Sequence, residues 1–126
     1  DVISSIPKVT SPEQLLFPLG RTPNGKDLIE DLSQMPHMLV GGSTGSGKSV
    51  FLFSMLAALL MTHPEKEDMQ LILSSSKLED FIHFEGLPHL YSGRIISDAT
   101  EATKVIKEVI FEESERRGRG KGCQYC

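Results

Sequence analysis

The order of apolar and polar positions along the chain predicts strands alternating with helices. Residues 1–14 carry Pro7, Pro12 and several Ser and Thr, and read as a linker or loosely attached arm. Two short segments then flank Pro23-Asn24-Gly25. Asn-Gly is a strong turn signal, so residues 15–32 are expected to form a β-hairpin ahead of the core. Leu39 to Gly41 reads as the first core strand. From about Ser49 to Thr62 the chain is apolar nearly all round, which predicts a buried helix ended by His63-Pro64. Leu71-Ile72-Leu73 reads as a second buried strand, Leu78 to Phe84 as a short helical turn, and Arg94-Ile95-Ile96 as a third strand. Asp98 and Glu101 have the spacing of an N-cap and its capping-box partner. In the helix that follows, Ala102, Val105, Ile106, Val109 and Ile110 fall on one face, and Glu112 and Glu113 stand four residues before Arg116 and Arg117, until Gly118 stops it. This alternation implies an α/β fold with a mainly parallel sheet flanked by helices.

Between the first strand and the first helix lies Gly-Ser-Thr-Gly-Ser-Gly-Lys-Ser, residues 42–49, a complete G-x-x-x-x-G-K-[ST] phosphate-binding loop. Gly45 and Gly47 lack Cβ, so the backbone can turn its N–H groups inward as an anion nest. A helix starting near Lys48 aims its unsatisfied N–H groups and positive dipole end at the same point. Lys48 supplies a charge between the β- and γ-phosphates, and the Ser49 hydroxyl a ligand for Mg²⁺. Gly42, Ser43, Thr44, Gly45, Ser46, Gly47, Lys48, Ser49 and Val50 are therefore the candidate nucleotide-binding residues. The competing explanation, a Gly/Ser-rich turn with an incidental lysine, requires the flanking strand and helix both to be coincidences.

Composition narrows the setting. The 126 residues suffice for one domain but are few for a complete doubly wound nucleotide-binding fold, and the chain starts at Asp1 rather than Met, so an incomplete fold is expected. The net charge of −4, from 13 basic and 17 acidic residues, gives no global attraction for nucleic acid, so any DNA contact must be local. No apolar run reaches membrane-spanning length and no signal pattern opens the chain, which predicts a cytoplasmic location. Cys123 and Cys126 form a C-x-x-C without a second pair, and are expected to be inert. His37, His63, His83 and His89 show no metal-ligand spacing and read as loop and packing residues. Arg116, Arg117, Arg119 and Lys121 form a basic cluster entering a Gly-rich tail, 118–126. This fits the cation-favouring end of a helix, with phosphate or DNA contact as the functional alternative.

Several segments in order resemble one family. Pro18-Leu19-Gly20, Gly25-Lys26, Met35-Pro36-His37-Met38-Leu39-Val40, the loop itself, and Glu85-Gly86-Leu87-Pro88-His89-Leu90 are similar to the motor domain of FtsK/SpoIIIE DNA translocases. Glu113-Ser114-Glu115-Arg116-Arg117 resembles that family's E-x-E-R-R helix end. The resemblance implies a RecA-like P-loop ATPase over residues 15–117 that uses ATP and Mg²⁺, assembles as a ring, usually a hexamer, and moves double-stranded DNA. Two departures qualify it. Ser74-Ser75-Ser76-Lys77 stands where the family has Asp-Pro-Lys, so Ser75 replaces a carboxylate; the whole stretch from Ser75-Ser76-Lys77 to Arg116-Arg117 looks most similar to the DptH (DndH) branch, the motor component of phosphorothioate-dependent restriction systems. The acidic strand that follows the E-x-E-R-R helix in the family is absent from these residues, so no catalytic residue is assigned. Lys77, expected at the sheet edge where α/β folds bind ligands, is the candidate accessory residue near the γ-phosphate or a subunit interface. The chain alone is thus expected to bind ATP but hydrolyse it poorly. A non-hydrolysing nucleotide-binding or assembly module is the first alternative, and an unrelated P-loop GTPase or kinase the second. Asn24-Gly25-Lys26-Asp27 precedes the loop and has the wrong spacing for a GTPase's guanine motif.

Overall fold

A computed structural model describes residues 6–7, 11 and 13–118. The chain divides into two compact units, residues 1–68 and 69–126. In the first, β1 (Leu16–Arg21) and β2 (Asp27–Asp31) pair antiparallel, with Leu16 opposite Asp31 and Arg21 opposite Asp27. The register shifts between Pro18 and Gly20, where Pro18 has no N–H to give to a ladder. Five residues make the turn. The Thr22 hydroxyl accepts from the Lys26 N–H at 3.0 Å, and the Gly25 N–H donates to the Thr22 carbonyl at 2.9 Å. Arg21 clasps Asp27 across the mouth, with Nε 2.5 Å from one carboxylate oxygen and the guanidinium NH2 3.1 Å from the other.

The hairpin's exit is held by Asp31, whose Oδ1 accepts from the Leu15 N–H (3.0 Å), the Ser33 N–H (2.9 Å) and the Ser33 hydroxyl (2.6 Å). The Ser33 bonds cap a 3₁₀ turn, Leu32–Gln34. Partial burial works to raise the Asp31 pKa, but the hydrogen bonds from the Ser33 side chain and the Leu15 and Ser33 N–H groups outweigh it, and the value lies below the ordinary one. A depressed carboxylate stabilises the fold above its unfolded pKa, about 3.9, and that contribution is lost as pH falls through the lower folded value. Asp31→Ala is expected to cost about 1–3 kcal/mol in urea unfolding near neutral pH. The deficit should shrink below about pH 3.9; a pH-independent deficit would assign it to packing instead.

The helix α1 (Lys48–Thr62) buries Met55, Leu56, Ala58 and Leu59. Phe17 of β1, 0% exposed, meets Phe51 of α1 edge to face, ring centroids 6.3 Å apart. The helix closes where Pro64 cannot continue it: Thr62 Oγ1 donates to the Ala58 carbonyl at 2.9 Å, and the buried His63 N–H to the Leu59 carbonyl at 3.0 Å. Its burial is one-sided. Val50 and Met61 are 68% and 70% exposed, so apolar composition all round did not mean burial all round. Residues 37–43 have no regular secondary structure, and Leu39, expected in the first core strand, is 97% exposed. The run is apolar enough for a strand, but no strand among the described residues pairs with it.

In the second unit the expected strands appear as two single-residue parallel pairings, Leu71 with Leu90 and Ser74 with Ile96. The Leu71 N–H donates to the His89 carbonyl at 2.7 Å and the Tyr91 N–H to the Leu71 carbonyl at 2.9 Å. The Ile96 N–H donates to the Leu73 carbonyl at 2.8 Å and the Ser75 N–H to the Ile96 carbonyl at 2.9 Å. Residues 71–74 thus lie opposite the longer run 90–96, and the surplus leaves the ladder as a turn at Tyr91–Arg94. Glu85 fastens this excursion by accepting the Ile95 N–H at 3.0 Å. Leu78–Phe84 is a 3₁₀ helix. Met69, Phe84, Leu90, Ile95, Ile96 and Val105 form the buried apolar set.

The last helix, α2, runs Ala99–Gly118. Asp98 Oδ1 caps it, accepting from the Thr100 and Glu101 N–H groups, and these bonds, that of Glu101 first, hold its pKa below the ordinary value. The expected capping box forms only in this half. The Glu101 carboxylate takes the Arg94 guanidinium instead, a charged donor that outcompetes a neutral N–H. The expected apolar face is also narrower than its pattern: Val105 is buried, whereas Ile106 and Ile110 are 50% and 63% exposed. No helix among the described residues is long and apolar enough to cross a membrane.

Candidate nucleotide-binding site

The loop turns on its glycines. Gly45 and Gly47 have φ of 79° and 92°, a region closed to most side chains. Between them the Ser46 N–H donates to the Ser43 carbonyl at 3.1 Å, which closes the turn. Gly47 is the N-cap of α1 and gives it no side-chain cap, and the first turn holds no acidic residue. The first i−4 bond runs from the Phe51 N–H to the Gly47 carbonyl, 2.9 Å. The N–H groups of Lys48, Ser49 and Val50 precede it, so they and the helix dipole are left for an anion.

Residues 41–47 are exposed, and Lys48 and Ser49 half-buried. The Lys48 ammonium folds back over the turn and donates to the carbonyls of Gly42 (2.6 Å) and Ser43 (2.8 Å). An ammonium has three protons, so one donor remains. The Ser49 hydroxyl makes no hydrogen bond among the described residues. The site thus combines uncapped amides, one ammonium with a donor to spare and an uncommitted hydroxyl, a donor set that fits a polyphosphate with its Mg²⁺.

Ser75 and Lys77 lie in the second unit. The Ser75 hydroxyl accepts from the Lys77 N–H and donates to the Lys77 carbonyl, both at 3.1 Å, closing a small turn. The Lys77 side chain is exposed ahead of the 3₁₀ helix. His63 and His89 are 2% and 7% exposed, while His37 and His83 are exposed. No group of three or more His, Cys, Asp or Glu among the described residues could hold a metal ion. Arg116 is exposed on α2; Arg119, Lys121, Cys123 and Cys126 lie outside the described residues.

Periodicity did not reveal the bond from the Tyr91 hydroxyl to Glu112 Oε1, 2.8 Å. It takes up a carboxylate expected to serve Arg116, and chiefly for that reason the Tyr91 pKa lies above the ordinary value. The two residues are 21 positions apart, and no local spacing signals such a pair.

The model of the FtsK/SpoIIIE family matches residues 1–119. The chain is 37% identical over 117 residues to a DNA translocase FtsK of Corynebacterium glutamicum, covering 93% of the chain and 12% of the relative. It is 34% identical over 116 residues to that of Rhizobium meliloti, covering 92% and 13%, and 35% identical over 103 residues to that of Oceanobacillus iheyensis, covering 82% and 13%. The chain therefore spans about an eighth of the length of these relatives. Loop and match together define the class, a P-loop NTPase fold. More narrowly, the chain belongs to the FtsK/SpoIIIE family. Nothing in these matches singles out the DptH branch.

Proposed function

We propose that this chain is the ATP-binding part of a double-stranded DNA translocase motor, in which ATP hydrolysis drives DNA movement. The observation that carries the reading is the uncapped start of α1, with Lys48 folded over a turn made possible by Gly45 and Gly47. The N–H groups of Lys48, Ser49 and Val50 would cradle the phosphates, the Lys48 ammonium would neutralise the β and γ groups, and the Ser49 hydroxyl would ligate Mg²⁺. The RecA-like arrangement, the ring of copies and the DNA contact are the parts of the proposal that rest on family membership. A second reading, a module that binds nucleotide without hydrolysing it, is favoured by Ser75, whose hydroxyl is closed on the Lys77 backbone and brings no charge. Titration with labelled nucleotide and Mg²⁺ is expected to show saturable binding with ATP preferred to GTP, and turnover by this chain alone below about 1 s⁻¹, under the range typical of enzymes. Absence of binding would overturn the nucleotide reading, a preference for GTP would favour the GTPase alternative, and faster turnover would remove the need for residues outside the chain.

A further inference from the structure

The first glycine of the loop does not owe its identity to backbone strain. Gly42 is not among the glycines with positive φ, so its conformation is open to an ordinary residue. What excludes a side chain is one neighbour. A Cβ on Gly42 would collide with Ser46 Oγ and lie 3.2 Å from Ser46 Cβ and 3.4 Å from Lys48 Cγ. The last is ordinary van der Waals contact; the first two are not. Rotation of the Ser46 hydroxyl would relieve the first, but the second depends on where the chain places residue 46. That is fixed by the bond from the Ser46 N–H to the Ser43 carbonyl and by Gly45 and Gly47 on either side.

We propose that Ser46 is a positioning residue of the phosphate loop. Its side chain packs against the bare Cα of Gly42, sets the width of the loop's neck, and so holds the Gly42 carbonyl where the Lys48 ammonium meets it at 2.6 Å. A side chain at 42 would push the neck open and carry that carbonyl away from Lys48. The requirement for glycine at 42 is thus conditional on the residue at 46. The inference uses nucleotide affinity as its readout and rests on the nucleotide-binding reading above.

The test is a double-mutant cycle on the complete natural polypeptide, with Mg-ATP affinity and melting temperature measured for every member. Gly42→Ala is expected to weaken binding by roughly tenfold or more, as overpacking of a fitted site does. In a Ser46→Gly background, where both crowding atoms are gone, the same change is expected to cost less than about threefold, a coupling typical of residues in contact. Ser46→Ala removes the oxygen but keeps the 3.2 Å Cβ contact, and should give an intermediate penalty. Where Gly42→Ala also lowers the melting temperature, the same graded rescue should appear there. Equal penalties for Gly42→Ala in the wild-type and Ser46→Gly backgrounds would overturn the inference, as would no penalty in either. Failure of the wild-type protein to bind Mg-ATP would instead overturn the nucleotide reading, leaving the cycle to be judged by melting temperature.

Discussion

Lys48→Ala is expected to weaken Mg-ATP binding by roughly ten- to a hundredfold, the loss of one or two hydrogen bonds from a charged donor. Lys48 is the sole cationic side chain within residues 42–50, so nothing else in the loop replaces its charge. The variant should fold normally. The carbonyls it releases, those of Gly42 and Ser43, belong to exposed residues and turn to water, so although Lys48 is half-buried the net cost of its two lost bonds is expected to be about 0.5 kcal/mol. Affinity and stability are therefore expected to separate: calorimetric titration should record the loss while the melting temperature stays within a few degrees. Lys48→Arg keeps the charge but presents a planar fork in place of a compact ammonium, and should recover only part of the affinity. Unchanged affinity in Lys48→Ala would place the nucleotide elsewhere on the protein.

The features visible in the sequence are those governed by neighbours along the chain. Asn24-Gly25 lies in the turn between β1 and β2 because its backbone preference is local, and Gly47-Lys48 marks the start of α1 for the same reason. Asp98 caps α2 through N–H groups two and three residues ahead. Legibility fails where a residue's state is set from a distance. Leu39 has the composition of a buried strand, yet a strand exists only where another supplies the opposite ladder, and apolar character records an affinity for burial without naming what buries it. Leu71-Ile72-Leu73 and Ile96 do approach in parallel through the Ile96 N–H and the Leu73 carbonyl, but the Tyr91–Arg94 turn intervenes, so Leu71 pairs with Leu90 before it and Ser74 with Ile96 after it. On α2, Ile106 and Ile110 carry the helical period and still face solvent, because period fixes which residues share a stripe and not its covered width. The candidate site is the opposite case. Its chemistry lies in backbone amides and one lysine within nine consecutive residues, so the motif contained nearly all of it, except the dependence of Gly42 on Ser46.

Phe17→Ala is expected to produce the largest loss of stability, about 3–5 kcal/mol, as for other fully buried aromatics cut to alanine. Phe17 is 0% exposed, and its ring stands edge-on to Phe51 at 6.3 Å. Its removal takes away both the buried surface and the aromatic pair that joins β1 to α1. Urea unfolding should show a lower midpoint with an unchanged slope, the signature of lost stability rather than an altered unfolded state. The consequence for function follows from where α1 begins. Phe51 lies one turn into the helix whose first turn carries Lys48, Ser49 and Val50, so the hairpin holds the element that presents the phosphate-binding amides. If part of the Phe17→Ala population has α1 undocked, apparent affinity falls in proportion to the docked fraction, and saturating Mg-ATP restores stability by mass action. Lys48→Ala should show the reverse: intact stability with little gain on adding nucleotide. A Phe17→Ala variant that lost stability but regained none with Mg-ATP would show that the hairpin steadies the fold without steadying the grip.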